Sequence, residues 1–341
     1  MLKVLASIST AVLVTTLGAS LAISGVRIDF KIEPSHVLPG TPAVLCLLVT
    51  NDGDQDVKLP EKLLLRVVPA DGDPFIAEWG AGQEHRFSHA ELPTKDRTVS
   101  AHSRREFVFH AYALDKSNGW FWDARLNTPG TYRLQVLFVD PFREEKVFHT
   151  RPFDLDTVLP VRMASTESVL VIETPRGDDA RVWAQLVAMA KQRGSDVWSP
   201  MFIAETGWRD FVNEVIEKYP ASSYAPFIVG WYGEKSATER YGAEERLVKI
   251  RRVLDLHPST TARESIQLLI AGVEVQAAQE AASILHHDVK RAALFYERAR
   301  SDYDALERTA SDPEIRRMSL EWRSSTPAEL REGDGPPDGQ R

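Results

Sequence analysis

The residue pattern in this sequence that most resembles a metal-binding site consists of histidines. His85 and His89 are four residues apart, and Glu84 stands beside them. On a helix that spacing would bring two imidazoles to one face, where they could hold a zinc ion. Gly82 and Pro93 instead predict a loop, in which two rings four residues apart do not converge. We therefore expect no metal ligand set at this position.

Four further histidines are interpreted as structural or surface residues. His286 and His287 are neighbours on a predicted helix, where adjacent side chains point about 100° apart. His110 and His149 fall in strand-like runs, where a histidine usually packs or meets solvent. The sequence therefore predicts no metal and no cofactor.

Motifs for nucleophilic catalysis and phosphate binding are not found either. No serine stands on a glycine-flanked elbow, and no glycine loop of the phosphate-binding kind is present. Cys46 is the one cysteine, and its position in the apolar run 43–49 predicts an inert buried thiol. These observations predict a protein that is not an enzyme. An envelope hydrolase whose active-site residues converge from distant positions stays open as an alternative.

Length and charge limit the possible partners. The chain of 341 residues is long enough for two domains, each with its own core. Its formal net charge is −8, and no basic stripe runs along it. Because a nucleic-acid-binding protein needs such a stripe, we expect no nucleic-acid partner.

The first 22 residues have the composition of a secretory signal peptide. Lys3 provides a positive start, and residues 4–17 carry no charge. Ser20 and Ala22 then place small residues at the −3 and −1 positions of a cleavage site. We predict a signal peptide over 1–22 and a periplasmic or secreted mature chain. The alternative is an uncleaved anchor, the one case in which we expect membrane contact.

Residues 25–174 follow a strand pattern. Val26, Ile28, Phe30 and Ile32 alternate with polar residues, as in a strand with one buried face. Further short apolar runs are separated by turns rich in Gly, Pro, Asn and Asp. Since no helical stripe interrupts them, we predict an antiparallel β-sandwich.

Two stretches of this half resemble bacterial immunoglobulin-like domains. The sequence TPGTYRLQVLF at 128–138 resembles the turn and F strand of such domains. The sequence VLPGTP at 37–42, followed by an apolar strand that ends at Asn51, is similar to their A–B region. Antibody-type domains carry a cysteine two residues beyond the tyrosine, and Leu134 stands there in this chain. The resemblance implies the wider immunoglobulin-like fold and no single function.

Trp120, Phe121 and Trp122 form an aromatic triplet that we predict to lie in a loop. Two interpretations of the triplet are open. The three side chains cap the end of the sandwich core, or they form an aromatic platform for a sugar or a peptide. The second interpretation makes a carbohydrate-binding protein an alternative function.

Residues 177–322 change to helical spacing. An apolar stripe of helical period precedes Pro220, which ends that helix because its ring cannot continue the hydrogen-bond ladder. We expect Ser223 to cap the helix that follows. Thr261 and Glu264 predict a capping box at a later helix.

A repeat with a period of 38 residues runs through this half. VIEKYP at 215–220 aligns with VLDLHP at 253–258, and each is followed by small hydroxyl residues and a new helix. YPASSYAP at 219–226 resembles the tetratricopeptide-type repeats of bacterial envelope proteins, and KRAALFYE at 290–297 is similar to a further second helix of such a pair. The resemblance implies an array of helical hairpins that binds a protein or a peptide.

The sequence thus predicts a multidomain β + α protein. An Ig-like antiparallel β-sandwich over 25–174 is followed by an all-α tetratricopeptide-like repeat domain over 177–322. Residues 323–341 are rich in Gly, Pro and charge, and we predict a disordered tail. The predicted function is that of a non-enzymatic scaffold that binds a protein or a peptide. The sequence leaves open the binding residues, the identity of the partner and the oligomeric state.

Overall fold

Strands assembled into sheets form the first half of the molecule, and helices form the second. This order confirms the mixed β and α organisation predicted from the sequence. The predicted signal segment 1–22 lies outside the described residues. The computed structural model describes residues 25–41, 43–60, 62–80, 86–87, 90–91, 96–111, 120–122, 124–139, 161–192, 208–232, 242–283 and 288–325.

Fourteen strands and one 3-10 turn (Ala124–Asn127) lie in the described part of the first half. The strands are β1 (Val26–Glu33), β2 (His36–Val37), β3 (Ala43–Asn51), β4 (Val57–Lys58), β5 (Lys62–Pro69), β6 (Phe75–Gly80), β7 (Arg86–Phe87), β8 (Ala90–Glu91), β9 (Thr98–Val99), β10 (Ser103–Ala111), β11 (Trp120–Trp122), β12 (Gly130–Val139), β13 (Val161–Ala164) and β14 (Ser168–Ile172).

A continuous path of hydrogen-bonded strands runs β1-β3-β10-β11-β6-β5-β12-β14-β2. Strand β3 lies between β1 and β10 and pairs antiparallel with both, so that Leu47 has Phe30 and Phe107 as its register partners. The pairs β10–β11 and β14–β2 are parallel, unlike the fully antiparallel sandwich that we expected. Each of these pairings is two residues long and joins segments that no tight hairpin connects, which removes the constraint toward antiparallel pairing.

The core of the first half forms because one face of each long strand is apolar. In β3, Leu45 and Leu47 are buried, and inward residues of β1, β5, β10, β12 and β14 join them in one cluster. Cys46 lies on the opposite face of β3 and is partly exposed, with Lys31 and Val108 as its register partners. The prediction of a buried thiol is therefore wrong, because successive residues of a strand point to opposite faces.

A tyrosine closes the turn before β12. Tyr132 is buried, and its hydroxyl donates to the Thr128 carbonyl oxygen at 2.7 Å. Burial raises the pKa of Tyr132, so the hydroxyl keeps its proton. Leu134, Val136 and Phe138 follow on the inward face of the same strand. The TPGTY sequence therefore holds the turn that leads into β12.

Seven helices lie in the described part of the second half: α1 (Gly177–Gln192), α2 (Trp208–Lys218), α3 (Ala225–Tyr232), α4 (Ala243–Leu256), α5 (Arg263–Ala282), α6 (Val289–Thr309) and α7 (Pro313–Ser325). From α2 onwards each helix packs on the next, and α5 and α6 share the most extensive contact. Helix α5 also contacts α3 and α7, and α4 contacts α2. No helix in the described ranges has the length and apolar character needed to cross a membrane.

Helix α7 ends at Ser325, three residues inside the segment that we predicted to be a tail. The Trp322 ring stands edge-on to Tyr303 of α6, with ring centroids 5.9 Å apart. The same ring lies against Gly272 of α5, where an added Cβ would come within 2.9 Å of it. Arg323 pairs with two acidic residues of α6. These contacts explain why the helix continues past 322.

Candidate functional site

One carboxylate holds the YPASSYAP turn at 219–226. Asp179 of α1 accepts hydrogen bonds from the Ser222 hydroxyl at 2.7 Å, the Ser223 amide at 2.7 Å and the Ser223 hydroxyl at 3.0 Å. Ser223 is not the predicted helix cap, because the first free amides of α3 donate to the Tyr224 carbonyl oxygen at 3.1 Å. The Ser222 hydroxyl oxygen accepts from the Tyr224 amide at 3.3 Å. The motif therefore ties α1 to the start of α3.

Tyr224 of the same motif joins the helices to the sheet half. Its ring stacks on Trp183 of α1, with ring centroids 6.0 Å apart. Its hydroxyl donates to the Pro39 carbonyl oxygen at 3.0 Å. Burial raises the pKa of Tyr224, and the charge of Asp179 raises it further, so the hydroxyl remains a donor.

A tight turn presents the Pro39 carbonyl to the helices. Gly40 has a φ of 74°, a left-handed conformation that glycine adopts without strain. The amide and the hydroxyl of Thr41 donate to the Leu38 carbonyl oxygen at 3.1 and 2.8 Å. The Leu38 side chain packs against the helical core. The VLPGTP sequence therefore builds the contact between the two halves.

The second copy of the repeated turn, at 257–263, touches the first. The Nε2 atom of His257 lies 3.0 Å from the Pro220 carbonyl oxygen. The Arg263 guanidinium donates to the Pro258 carbonyl oxygen at 2.9 Å. His257 of the second copy thus links the two neighbouring turns, which is a structural role.

The capping box predicted for Thr261 and Glu264 is not formed. The N-cap of α5 is Ala262, and no side chain caps that end of the helix. Glu264 instead accepts from the amides of Ser311 and Asp312, at 2.7 and 3.2 Å, just before α7. Tertiary packing brings these two amides to the Glu264 carboxylate, where they take the place of the Thr261 amide expected in a capping box.

A buried carboxyl between α4, α5 and α6 is the described group best suited to chemistry. Glu274 of α5 is fully buried. Its Oε1 atom accepts a hydrogen bond from Arg251 of α4, while Oε2 has no hydrogen-bond partner among the described residues. Arg298 and Asp302 of α6 act on the same carboxyl electrostatically. We refer to these four residues and Tyr303 as the Glu274 cluster.

Burial raises the pKa of Glu274 to about 7, and the negative charge of Asp302 adds to the increase. Arg251 and Arg298 act in the opposite direction without cancelling it. Burial also raises the pKa of Asp302, against the influence of Arg251. The pKa of Tyr303 is raised by burial and then by both carboxylates. The cluster therefore holds a carboxyl that changes charge near neutral pH.

A second polar group lies farther along the same two helices. Arg246 of α4 is buried and donates to the Gln276 side-chain oxygen at 2.7 Å. The Oε1 atom of Glu280 is 3.9 Å from the same guanidinium, and its Oε2 atom accepts from the Ala243 amide at 2.9 Å. Glu280 therefore complements the N-terminus of α4, a stabilising role.

The chemistry open to the Glu274 cluster is the uptake and release of a proton. Within the ranges that the structure describes, no group of three or more His, Cys, Asp and Glu side chains could hold a metal ion. Two exposed histidines each meet one acidic residue: His36 lies 3.1 Å from Glu173, and His102 lies 3.0 Å from Asp54.

The structure does not describe the side chains of several residues that the sequence analysis discussed. His110 lies in β10, where Val44 and Trp120 are its register partners, and its side chain is not described. The triplet Trp120–Trp122 is strand β11 and not a loop, because it pairs with β10 on one side and β6 on the other. Its side chains are not described, so neither interpretation of the triplet is tested. Outside the described residues lie His85, His89, His149, His286 and His287.

The sequence analysis above does not include Glu274, although the sequence contains a signal for it. Glu274 lies four residues after Ile270 and four before Ala278, both of which are buried. It therefore occupies the apolar stripe of α5, and a charge in such a stripe predicts a buried polar contact. Its partners lie on α4 and α6, so no local spacing in the sequence connects them to it.

Comparisons with known proteins yield similarities of low extent. No protein family model and no curated protein matches the sequence. Among solved structures, the alkylpurine DNA glycosylase of Pseudomonas fluorescens aligns with 44% of this chain and 31% of its own, at 9% identity and a TM-score of 0.23. The sporulation control protein of Bacillus subtilis aligns with 50% of this chain and 56% of its own, at 12% identity and a TM-score of 0.22.

The alpha-2-macroglobulin of E. coli aligns with 88% of this chain and 20% of its own, at 10% identity and a TM-score of 0.21. The chain thus spans less than two thirds of the length of each of these three proteins. Because every one of these TM-scores is far below 0.5, the similarities carry no argument about the fold or the function of this chain.

Proposed function

We propose that this chain is a non-enzymatic scaffold, periplasmic or secreted, that binds a protein or a peptide through its helical half. The observation that carries the proposal is the distribution of exposed large apolar side chains. Among the described residues, six of the eight lie on helices: Val248, Leu256, Val289, Leu294, Leu320 and Trp322. Exposed apolar side chains that lie together on a surface favour association with a partner.

The order of helix contacts supports an array of hairpins. Helices α2 to α7 pack in sequence, and contacts between α3 and α5 and between α5 and α7 link alternate helices. We infer that these helices form tetratricopeptide-like pairs, separated by the turns at Pro220 and Pro258. Stacked pairs offer a continuous surface to a partner and need no catalytic centre.

The sheet half is proposed to be an immunoglobulin-like sandwich that supports the helices. The bond from the Tyr132 hydroxyl to the Thr128 carbonyl supports this proposal, since immunoglobulin-like domains hold the corner before the same strand with a tyrosine. The bond between Tyr224 and Pro39 attaches the helices to this support.

Two matched double substitutions test which half binds. Leu294→Asp with Leu320→Asp changes helical side chains that are 45% and 46% exposed. Val108→Asp with Val169→Asp changes sheet side chains that are 42% and 47% exposed. Since all four side chains already meet water, both variants should fold. The full chain and the two variants are immobilised and incubated with the envelope fraction of the source cells, and the captured proteins are quantified by mass spectrometry.

We expect the helical double variant to capture about tenfold less of the specifically bound protein than the unsubstituted chain. The sheet double variant should capture as much as the unsubstituted chain. The opposite pattern would move the binding site to the sheet half and contradict the proposal. Capture of a glycan in place of a protein would favour the carbohydrate-binding alternative, whose site would then be sought around Trp120.

A further inference from the structure

We propose that the Glu274 cluster is a proton-operated device in the helical half: Glu274 takes up one proton as the pH falls, and this uptake tightens the packing of α5 against α4 and α6. The geometry points to such a device because Glu274 is fully buried and only one of its two oxygens has a partner among the described residues. The inference concerns stability and does not rest on the proposed binding function.

The hydrogen bonding of Glu274 suits a neutral carboxyl better than a charged one. An ionised carboxylate can accept several hydrogen bonds, and burying one with an oxygen left bare is costly. A proton removes that charge and also removes the repulsion from Asp302. The positive charge of Arg251 still has a negative neighbour in this state, because it also stabilises the ionised form of Asp302. The protonated cluster is therefore the better-compensated arrangement.

Two of the helices that pack on α5 bring charged or titratable side chains to Glu274. Helix α4 provides Arg251, and α6 provides Arg298, Asp302 and Tyr303. The sequence of α3, APFIVGWY, contains no charged residue. The charged side chains of α7 that the structure describes are all exposed: Arg316, Arg317, Glu321 and Arg323. Two positive and two negative side chains thus form the cluster, and Glu274 is the most deeply buried of the four.

The direction of the pH effect follows from linkage. The pKa of Glu274 is about 7 in the folded chain, against an ordinary value of 4.5. Below the ordinary value both states carry the proton, and the contribution to stability is complete. Between the ordinary pKa and the folded-state pKa, only the folded state holds the Glu274 proton. The folding equilibrium constant therefore falls by at most about tenfold per pH unit as the pH rises through this interval. Above the folded-state pKa the loss is complete.

A site-specific titration tests the protonation directly. The full chain is labelled with carbon-13 at the glutamate carboxyl, and the signal that disappears in Glu274→Gln is followed from pH 4 to pH 9. Urea unfolding of the same proteins, followed by helical circular dichroism, measures the consequence for packing. Glu244→Gln is the control, because Glu244 is a partly exposed carboxylate that pairs with Arg291 at the surface.

We expect the Glu274 signal to titrate near neutral pH and to move to lower pH in Asp302→Asn. Relative to Glu274→Gln, the wild-type chain and the Glu244→Gln control should lose stability as the pH rises from 5 to 7. A Glu274 midpoint below pH 5, or equal pH dependence in the wild-type chain and Glu274→Gln, would overturn the proposal. If Glu274→Gln does not fold, Glu274 is identified as the glutamate carboxyl signal whose titration midpoint shifts in Asp302→Asn. The midpoint of that signal in the wild-type chain then shows whether Glu274 titrates near neutral pH.

Discussion

Asn51 and Glu274 are both fully buried polar side chains, one in the sheet half and one in the helical half. They differ in how completely they are hydrogen-bonded. The Nδ2 atom of Asn51 donates to three backbone carbonyl oxygens at 2.8, 3.1 and 3.2 Å, and its Oδ1 atom accepts from the Gly53 amide at 3.1 Å. Glu274 has a partner for one oxygen only within the described ranges.

The difference separates a structural polar group from one that can change state. Asn51 cannot titrate, and its bonds hold the end of β3 to the turn at 53–55 and to the end of β9, at residues 99–100. Glu274 can lose its charge, and the protein around it does not fully satisfy the charged form. A buried polar residue with every group satisfied indicates a role in the fold, whereas a buried titratable residue with an unsatisfied group is a candidate for a role beyond it.

The largest expected effect is the loss of the Asn51 bonds. Asn51→Leu should lower the free energy of unfolding by about 3 kcal/mol, because it leaves several backbone groups without a partner. Glu274→Leu at pH 8 should cost less than about 1 kcal/mol, since it removes a poorly compensated charge and Arg251 is 43% exposed and can turn to water. Urea unfolding of both variants checks the contrast, and equal losses would remove the distinction between the two sites.

Asp179 extends the comparison to a carboxylate with several partners. Asp179→Ala should lower the free energy of unfolding by about 2 kcal/mol, because it removes all three bonds to Ser222 and Ser223. Asp178→Ala is the matched control, since Asp178 makes a surface pair with Arg181, and its loss should cost less than about 0.5 kcal/mol. Similar losses in thermal or urea unfolding would show that the YPASSYAP turn does not depend on Asp179.

A smaller effect is expected from the bond between the two halves. Tyr224→Phe keeps the ring that stacks on Trp183 and removes the donor to the Pro39 carbonyl. The loss should be about 1 kcal/mol in urea unfolding followed by tryptophan fluorescence. Slower hydrogen exchange around Pro39 in the variant would contradict a stabilising contact, because losing the bond should loosen that turn.

Cys46 provides the smallest effect, on reactivity and not on stability. Its side chain is partly exposed, but burial and the nearby charges of Glu106 and Glu33 raise the pKa of the thiol. Labelling of the folded chain at pH 7.5 should be slower than that of a cysteine peptide, because the thiolate is the reactive form. Labelling at the peptide rate would show that the thiol is as ionised as a free one.

The sequence predicted those features of the fold that depend on local periodicity. The alternation at 26–32 predicted β1, and the apolar run at 43–49 predicted the central strand β3. Pro220 marked the end of α2 and the turn before α3. Each of these features is decided by residues within one element, so a short window of sequence contains the information.

Features decided by contacts between distant segments were not predicted. The side on which Cys46 lies depends on the register of β3, and a continuous apolar run does not show that register. Glu264 binds amides at 311 and 312, and Ser223 binds a carboxylate 44 residues away. The Glu274 cluster draws on three helices, so the sequence marks Glu274 as unusual without naming its neighbours.

Hydrogen–deuterium exchange with and without the captured partner tests the central claim, that the helical half binds it. The partner is the protein that the wild-type chain captures and the helical double variant does not. We predict slower exchange in peptides that cover α4, α6 and α7, with little change in β1, β3 and β10. Protection confined to those three strands, with unchanged helices, would contradict it.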